Sequence, residues 1–439
     1  MKCARVLVRL AVLSLIAAAP PARAASGLSS TERRIVAAVD RHDPASLRLL
    51  ERAVSVNSGT MNLEGVREVG RIFALEFEAL GFKTEWEDGA SWARAGHLIA
   101  RREGRPGSPR ILLIGHLDTV FEKDSPFQSW ERLDDSTAHG PGVCDMKGGD
   151  VVMLLALRSL ADARVLDRLS VVAVLSGDEE KAGVPHSISR RSLVEAADWA
   201  DVAIGFEDGD GDPKTAVVAR RGATNWRLRT SGRPAHSSQI FREGFGCGAI
   251  FEAARILDAF RDSLSGEKYL TFNPGVMVGG TTASLDPEAS RGSAFGKSNV
   301  IAESTSVGGD LRAVSVEQRE SAKERMRRIV DAHLPLTGAK IEFADGYPPL
   351  APSDGNRRLL AAFDRASRDL GFGPVTEMDP RMAGAADISF ADGRVEMALD
   401  GVGLMGDGGH TVGETADLRT LPINGKRVAV LLWRLAGKK

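Results

Sequence analysis

The sequence predicts an α/β protein: a mostly parallel sheet with helices on both faces, interrupted by a second unit of α+β character. Three observations lead there. Short β-branched or aliphatic runs at 111–114, 169–175 and 202–206 alternate with helical stretches at 148–160 and 189–199, the rhythm of parallel strands joined by crossover helices. From about Ala216 the pattern changes to closely spaced strand-like segments, and after Arg357 the helix-then-strand style returns. Finally, 439 residues exceed what one hydrophobic core usually organises, so two domains are expected.

The first element is N-terminal. Lys2, Arg5 and Arg9 precede the apolar run 10–19, and Ala22-Arg23-Ala24 has the small-x-small form that a signal peptidase reads. The run is shorter than the roughly 20 residues that span a bilayer, so residues 1–25 are read as a cleaved export signal and the mature protein as periplasmic or secreted. Residues 31–82 show apolar spacing of three and four and are expected to be mainly helical. The three strand runs and their helices come next, so 26–218 forms the first part of the main domain.

An inserted unit at 219–347 holds an alternating strand at 225–230, helices at 247–260 and 316–333, and strands near 275–278, 299–312 and 339–343. Its Gly- and Ser-rich stretch 284–298 reads as a flexible excursion. Tyr347-Pro348-Pro349 and Pro352 break both periods and mark the return to the main domain, whose second part is 348–439. There a helix at 359–370 and a strand at 395–399 lead into the glycine-dense loop 401–409, which ends on His410.

A net charge of −2 with balanced acids and bases gives no support for nucleic acid or a membrane surface as partner. Cys144 and Cys247 are the cysteines left after the signal, enough for at most one bridge, and Cys144 is read as a small buried neighbour of Asp145.

Chemistry concentrates in five stretches: H-L-D at 116–118, G-P-G-V-C-D-M-K-G-G around Asp145, D-E-E at 178–180, F-E-D at 206–208, and G-G-H ending at His410. In open parallel sheets, ligands gather at the carboxyl ends of the strands, where His116, the D-E-E and Glu207 fall. Two hydrolytic metals need a ligand touching both, terminal ligands on each, and a nucleophilic water. Asp145, among glycines that let backbone and metal approach, is the candidate bridge. His116 and Glu207 would complete one metal, Glu180 and His410 the other.

Asp118 lies on the same face of an extended segment as His116 and is expected to accept the imidazole's other N–H. Glu179 then remains free for proton transfer. Each motif alone has an ordinary explanation: H-x-D pairs are common, and acids at strand ends are usually solvated or cap helices. Of Glu207 and Asp208 only one should face the site, and Glu207 is preferred. His42, His97, His139, His186 and His333 are taken as structural or exposed. In the inserted unit, His236 in G-R-P-A-H-S suits an oxyanion, while Asn299 and Arg312 flank a strand and Arg312 suits a carboxylate; a capped turn and a surface ion pair are the plain alternative.

Together with H-L-D-T-V, G-D-E-E and G-G-H-T, these motifs resemble the zinc-dependent carboxypeptidase and aminoacylase family that includes bacterial glutamate carboxypeptidase, succinyl-diaminopimelate desuccinylase and the tripeptidase. The resemblance spans essentially the mature chain. It implies two zinc ions per subunit, with cobalt or manganese as substitutes, bridged by Asp145 and held by His116, Glu180, Glu207 and His410. It implies Glu179 as general base, a lid domain that mediates homodimerisation, His236 reaching the partner's site, and Asn299 and Arg312 holding a substrate carboxylate. The glutamate carboxypeptidase branch is the nearest. That branch carries arginine where this chain has Tyr347 before Pro348, so a free carboxylate on the substrate is expected but not a preference for glutamate. The expected activity is hydrolysis of an amide bond beside a free carboxylate, in a small peptide or an N-acyl amino acid. A non-catalytic binding protein on the same fold is the alternative from another class.

Overall fold

The computed structural model describes residues 27–286 and 291–437; the expected export signal lies outside them. Helix α1 (Ser30–Val54) opens with a capping box, in which Ser29 and Glu32 satisfy each other's backbone N–H groups. Helix α2 (Leu63–Ala79) is next, capped by Asn62. Strands β1 (Lys83–Asp88), β2 (Gly96–Arg102) and β3 (Arg110–His116) succeed it, then α3 (Lys147–Asp162), β4 (Ser170–Ser176), α4 (Arg191–Trp199) and β5 (Val202–Gly205).

The inserted unit contains β6 (Gly222–Gly232), α5 (Ala249–Leu264), β7 (Thr271–Gly280), β8 (Ser304–Ala313), α6 (Val316–Asp331) and β9 (Thr337–Asp345). Helix α7 (Asp354–Asp369), β10 (Met397–Leu399) and α8 (Thr420–Ala436) complete the main domain. Among the described residues no helix is long and apolar enough to cross a membrane.

The main sheet is six-stranded in the order β1-β2-β4-β3-β5-β10. Strands β4, β3, β5 and β10 pair in parallel, while β1 and β2 add an antiparallel edge. Both faces are covered, as the continuous apolar runs require. Ile111, Leu113, Val171 and Ala173 pack with residues of α1, α2, α3, α7 and α8; the alternating Leu112, Ile114, Val172 and Val174 pack with α4 and the turn around Ile388. The α/β class and its largely parallel sheet are therefore present. The β1–β2 pair, polar on its exposed positions, was not expected from the sequence.

The inserted unit is a four-stranded antiparallel sheet, β7-β8-β6-β9, with α5 and α6 packed on one face through Trp226, Leu228, Ile256, Phe260, Val307 and Met326. Two expectations change here. The stretch read as a flexible excursion overlaps an antiparallel strand pair, Thr282–Asp286 with Arg291–Phe295, because its alternating small and apolar residues place Leu285 and Gly292 against the sheet near Gly308 and Val278. The strand expected from Asn299 begins only at Ser304, since Asn299 sits in a turn beside His236, whose neighbour Ser237 donates its N–H to the Asn299 carbonyl at 2.9 Å. The two connections to the main domain run side by side, bridged by Arg220 to Leu350 and Ala223 to Tyr347.

One close approach aligns the site. A Cβ on Gly149, in the first turn of α3, would stand 1.9 Å from the carbonyl oxygen of Phe206. Contact of this kind tolerates only glycine and holds the loop bearing Asp145 against the loop bearing Glu207. Gly149→Ala is expected to destabilise the fold by roughly 1–3 kcal/mol, the usual range for overpacking a core, read as a lower denaturant midpoint at unchanged slope.

Candidate metal centre

Each expected ligand arrives from its own element. His116 is the last residue of β3, Glu180 comes after β4 and Glu207 after β5. Asp145 stands just before the first turn of α3, and His410 sits on the loop after β10 in a left-handed conformation, φ 63°. The five meet at one sheet edge. His116 Nε2 lies 3.1 Å from Asp145 Oδ1 and 3.8 Å from Glu207 Oε1, while His410 Nε2 lies 3.0 Å from Asp145 Oδ2 and 3.1 Å from Glu180 Oε2. Two groups result, His116–Asp145–Glu207 and Asp145–Glu180–His410, joined through the two oxygens of Asp145.

The electrostatics are severe. Burial raises the Glu207 carboxyl well above its ordinary value and Glu180 to about 7, with the Asp145 charge adding to both. Glu179 is likewise pushed well up, chiefly by burial. Burial acts on Asp145 in the same direction, but the hydrogen bonds of His116 and His410 outweigh it and hold this carboxyl low. His410 is raised to about 11 by its hydrogen bonds to Asp145 and Glu180. Several carboxylates packed out of water around two imidazoles are a donor set that calls for cations. Imidazole nitrogen with carboxylate oxygen suits zinc and similar divalent ions.

Asp118 does a different job from the one expected. The His116 Nδ1 hydrogen-bonds the backbone carbonyl of Asp118 at 3.1 Å, with the carboxylate farther away at 3.5 Å. That carboxylate instead accepts from Thr60 Oγ1 at 2.6 Å and from the backbone N–H groups of Glu179 and Glu180 at 2.9 and 3.1 Å. Buried acids attract amide donors because the bond to a charge is stronger than one between neutral groups. The tautomer of His116 is still fixed, by a peptide oxygen.

Several partners carry no clear signal in the sequence. Glu414, fully buried, accepts from the backbone N–H of Gly142, Cys144 and Asp145 at 3.0, 3.0 and 3.2 Å and so shapes the turn that presents Asp145. Its one hint is that it comes shortly after His410 on the same loop. Asp400 accepts from the Glu207 N–H at 3.2 Å and from Arg220 Nε at 2.8 Å. His139 Nε2 meets the Val412 carbonyl at 2.9 Å, pinning the His410 loop. Below the D-E-E lies the buried Arg190, paired with Asp178 at 2.6 Å and Asp387 at 2.7 Å. Cys144 is buried and unbridged, its Sγ 3.5 Å from Glu414 Oε1.

The residues of the inserted unit are not brought to this cluster. His236 hydrogen-bonds Ser238 Oγ at 2.9 Å, Asn299 offers its backbone carbonyl to Ser237, and Arg312 pairs with Asp310 at 3.0 Å.

Residues 112–434 match the sequence profile of Peptidase family M20/M25/M40. The chain belongs to that family. It is similar to carboxypeptidase G2 of Pseudomonas sp. (strain RS-16), 25% identical over 421 residues that cover 94% of each chain. Succinyl-diaminopimelate desuccinylase of Leptothrix cholodnii is 27% identical over 44% of this chain and 51% of its own. Among solved structures, aminopeptidase PepT from Bacillus cereus shares the fold with a TM-score of 0.69 at 18% identity, covering 90% of this chain and 99% of that one. As a member of the M20 family the chain is a metallohydrolase acting on peptide or acyl amino acid bonds. The binding-protein alternative is set aside.

Glu414→Gln would turn an amide N–H₂ toward N–H groups that need an acceptor. Affinity for a divalent metal ion is expected to fall roughly ten- to a hundredfold, as when a partner that orients metal ligands is lost, measured by titrating zinc, cobalt and manganese into chelator-treated protein.

Proposed function

We propose that this chain is an exported hydrolase that holds two zinc ions and cleaves an amide bond next to a free carboxylate, as a carboxypeptidase. The observation that carries the reading is the division of Asp145, one carboxylate oxygen beside His116 and the other beside His410. His116, Asp145 and Glu207 would hold one ion, and Asp145, Glu180 and His410 the other. When bound, such a pair polarises a carbonyl and makes water nucleophilic at neutral pH.

The rest is done by the chain. Glu179 stands beside Glu180 without belonging to either group, and its carboxyl lies close enough to His116, Glu180 and Asp145 to feel their charges. It takes a proton from the attacking water and returns it to the leaving nitrogen. A carboxyl raised by burial is better matched to both halves of that transfer than one at its ordinary value. Asp118 fixes the backbone from which Glu179 and Glu180 project.

On the inserted unit, Arg312 and Asn299 would receive the substrate carboxylate and His236 the developing oxyanion. Arg312 has a guanidinium suited to that task, now engaged by Asp310. In a homodimer formed through this lid, the His236 of one subunit would serve the other's site. The likeness to carboxypeptidase G2 along 94% of the chain supports the carboxypeptidase reading. Shorter likenesses to succinyl-diaminopimelate desuccinylase and acetylornithine deacetylase favour a second one, deacylation of N-acyl amino acids at the same centre. The N-terminal Arg- and Lys-flanked apolar run supports a periplasmic or secreted location.

Glu179→Gln is expected to lower turnover about a hundred- to ten-thousandfold, to a small residual rate, while two equivalents of zinc remain bound; turnover close to wild type in the variant sinks the assignment. A panel of dipeptides and N-acetyl amino acids, assayed with zinc and with cobalt, separates peptidase from deacylase.

A further inference from the structure

Tyr347 lies where the chain returns from the inserted unit, yet its side chain belongs to the metal centre. Its hydroxyl is 3.2 Å from the backbone carbonyl of Glu179 and 2.7 Å from Nη2 of Arg190. The direction of these bonds is forced: a guanidinium only donates and a carbonyl only accepts, so the phenol proton goes to Glu179. Arg190 cannot turn away. It is fully buried, with Nη1 on Asp178, Nε on Asp387 and Nη2 also on the Asp178 carbonyl. The tyrosine ring is held edge-on by His186 at 5.5 Å and Phe390 at 5.2 Å between centroids.

The carbonyl that Tyr347 grips and the N–H of Glu180 belong to one peptide unit. That N–H is bound by Asp118 Oδ2 at 3.1 Å, and the N–H of Glu179 by Asp118 Oδ1 at 2.9 Å. Both edges of the unit joining Glu179 to Glu180 are therefore held, one by a phenol and the other by a carboxylate. We propose that Tyr347 is a positioning residue that, with Asp118, clamps this peptide plane and keeps the two adjacent carboxylates at their separate tasks. The proposal rests on the reading of Glu179 as the proton-transfer base and extends it to a residue outside the ligand set. The sequence distinguishes this position by carrying tyrosine, which has both a donor and an acceptor to give.

Tyr347→Phe removes one oxygen and keeps the ring. Hydrolysis of the fastest member of the dipeptide and N-acetyl amino acid panel is expected to show kcat lowered roughly tenfold or more, as small misplacements of a reacting group do, with KM and zinc content unchanged. Because the effect runs through Glu179, Glu179→Gln and the double variant should share one residual rate. A distant core variant of equal stability loss, Phe260→Leu, should keep its kcat. If Tyr347→Phe does not fold, Tyr347→4-fluorophenylalanine keeps the volume, leaves Arg190 a weak acceptor, and cannot donate. Wild-type kcat in either variant, or an equal further drop in the Glu179→Gln background, overturns the clamp. Turnover close to wild type in Glu179→Gln overturns instead the reading beneath it.

Discussion

The arrangement turns on one half-buried carboxylate between two imidazoles. Asp145 remains charged where burial should neutralise it, because His116 addresses one oxygen and His410 the other. Its neighbours Glu180 and Glu207 are driven the opposite way, partly by that same charge. An assembly so rich in acid is stable only if cations join it or if the main chain is held firmly enough to resist relaxation. The second condition is visible in detail. Outside the ligand set, Asp118, Glu414 and Asp400 direct their oxygens to backbone N–H groups next to ligands, so the inner acids are carried on main chain that outer acids have fixed.

Division of labour among the acids comes from geometry rather than residue type. Glu207 joins a metal group while the adjacent Asp208 does not, because successive residues leave a strand end on opposite sides. Asp208, raised to about 7 chiefly by burial and also by the Asp145 charge, lies on the side of Cys144. Glu179 and Glu180 divide in the same manner.

Much of this was legible in the sequence, for physical reasons. Residues 111–114 and 202–206 are apolar without interruption, which marks strands covered on both faces, and such strands deliver the residues just beyond them to a common edge; His116 and Glu207 could be located that way. Glu414 and Asp400 could not. Their contacts near the ligands are to backbone N–H groups far away in the chain, and a peptide N–H has no identity that a sequence can display. Asp118 was legible as a partner of the His116 region but not in its actual bonds, because spacing fixes a face and not which oxygen turns toward the ring. The inserted unit was legible as alternating strands and amphipathic helices, whereas the paired strands 282–286 and 291–295 were hidden by small residues that flexible segments also use. His236, Asn299 and Arg312 could be singled out by chemistry, but nothing in the local pattern measures how far a separate sheet stands from the cluster.

Glu414 carries a consequence for how the protein comes into being. Synthesis proceeds from the N-terminus, and the turn holding Asp145 is complete long before the residue that shapes it has been made. His410 and Asp400 arrive from the same late stretch. The strands that carry His116, Glu180 and Glu207 therefore precede the groups that finish the site, and removing residues from Asp400 onward would take away Glu414, His410 and the core side chains of α8 together.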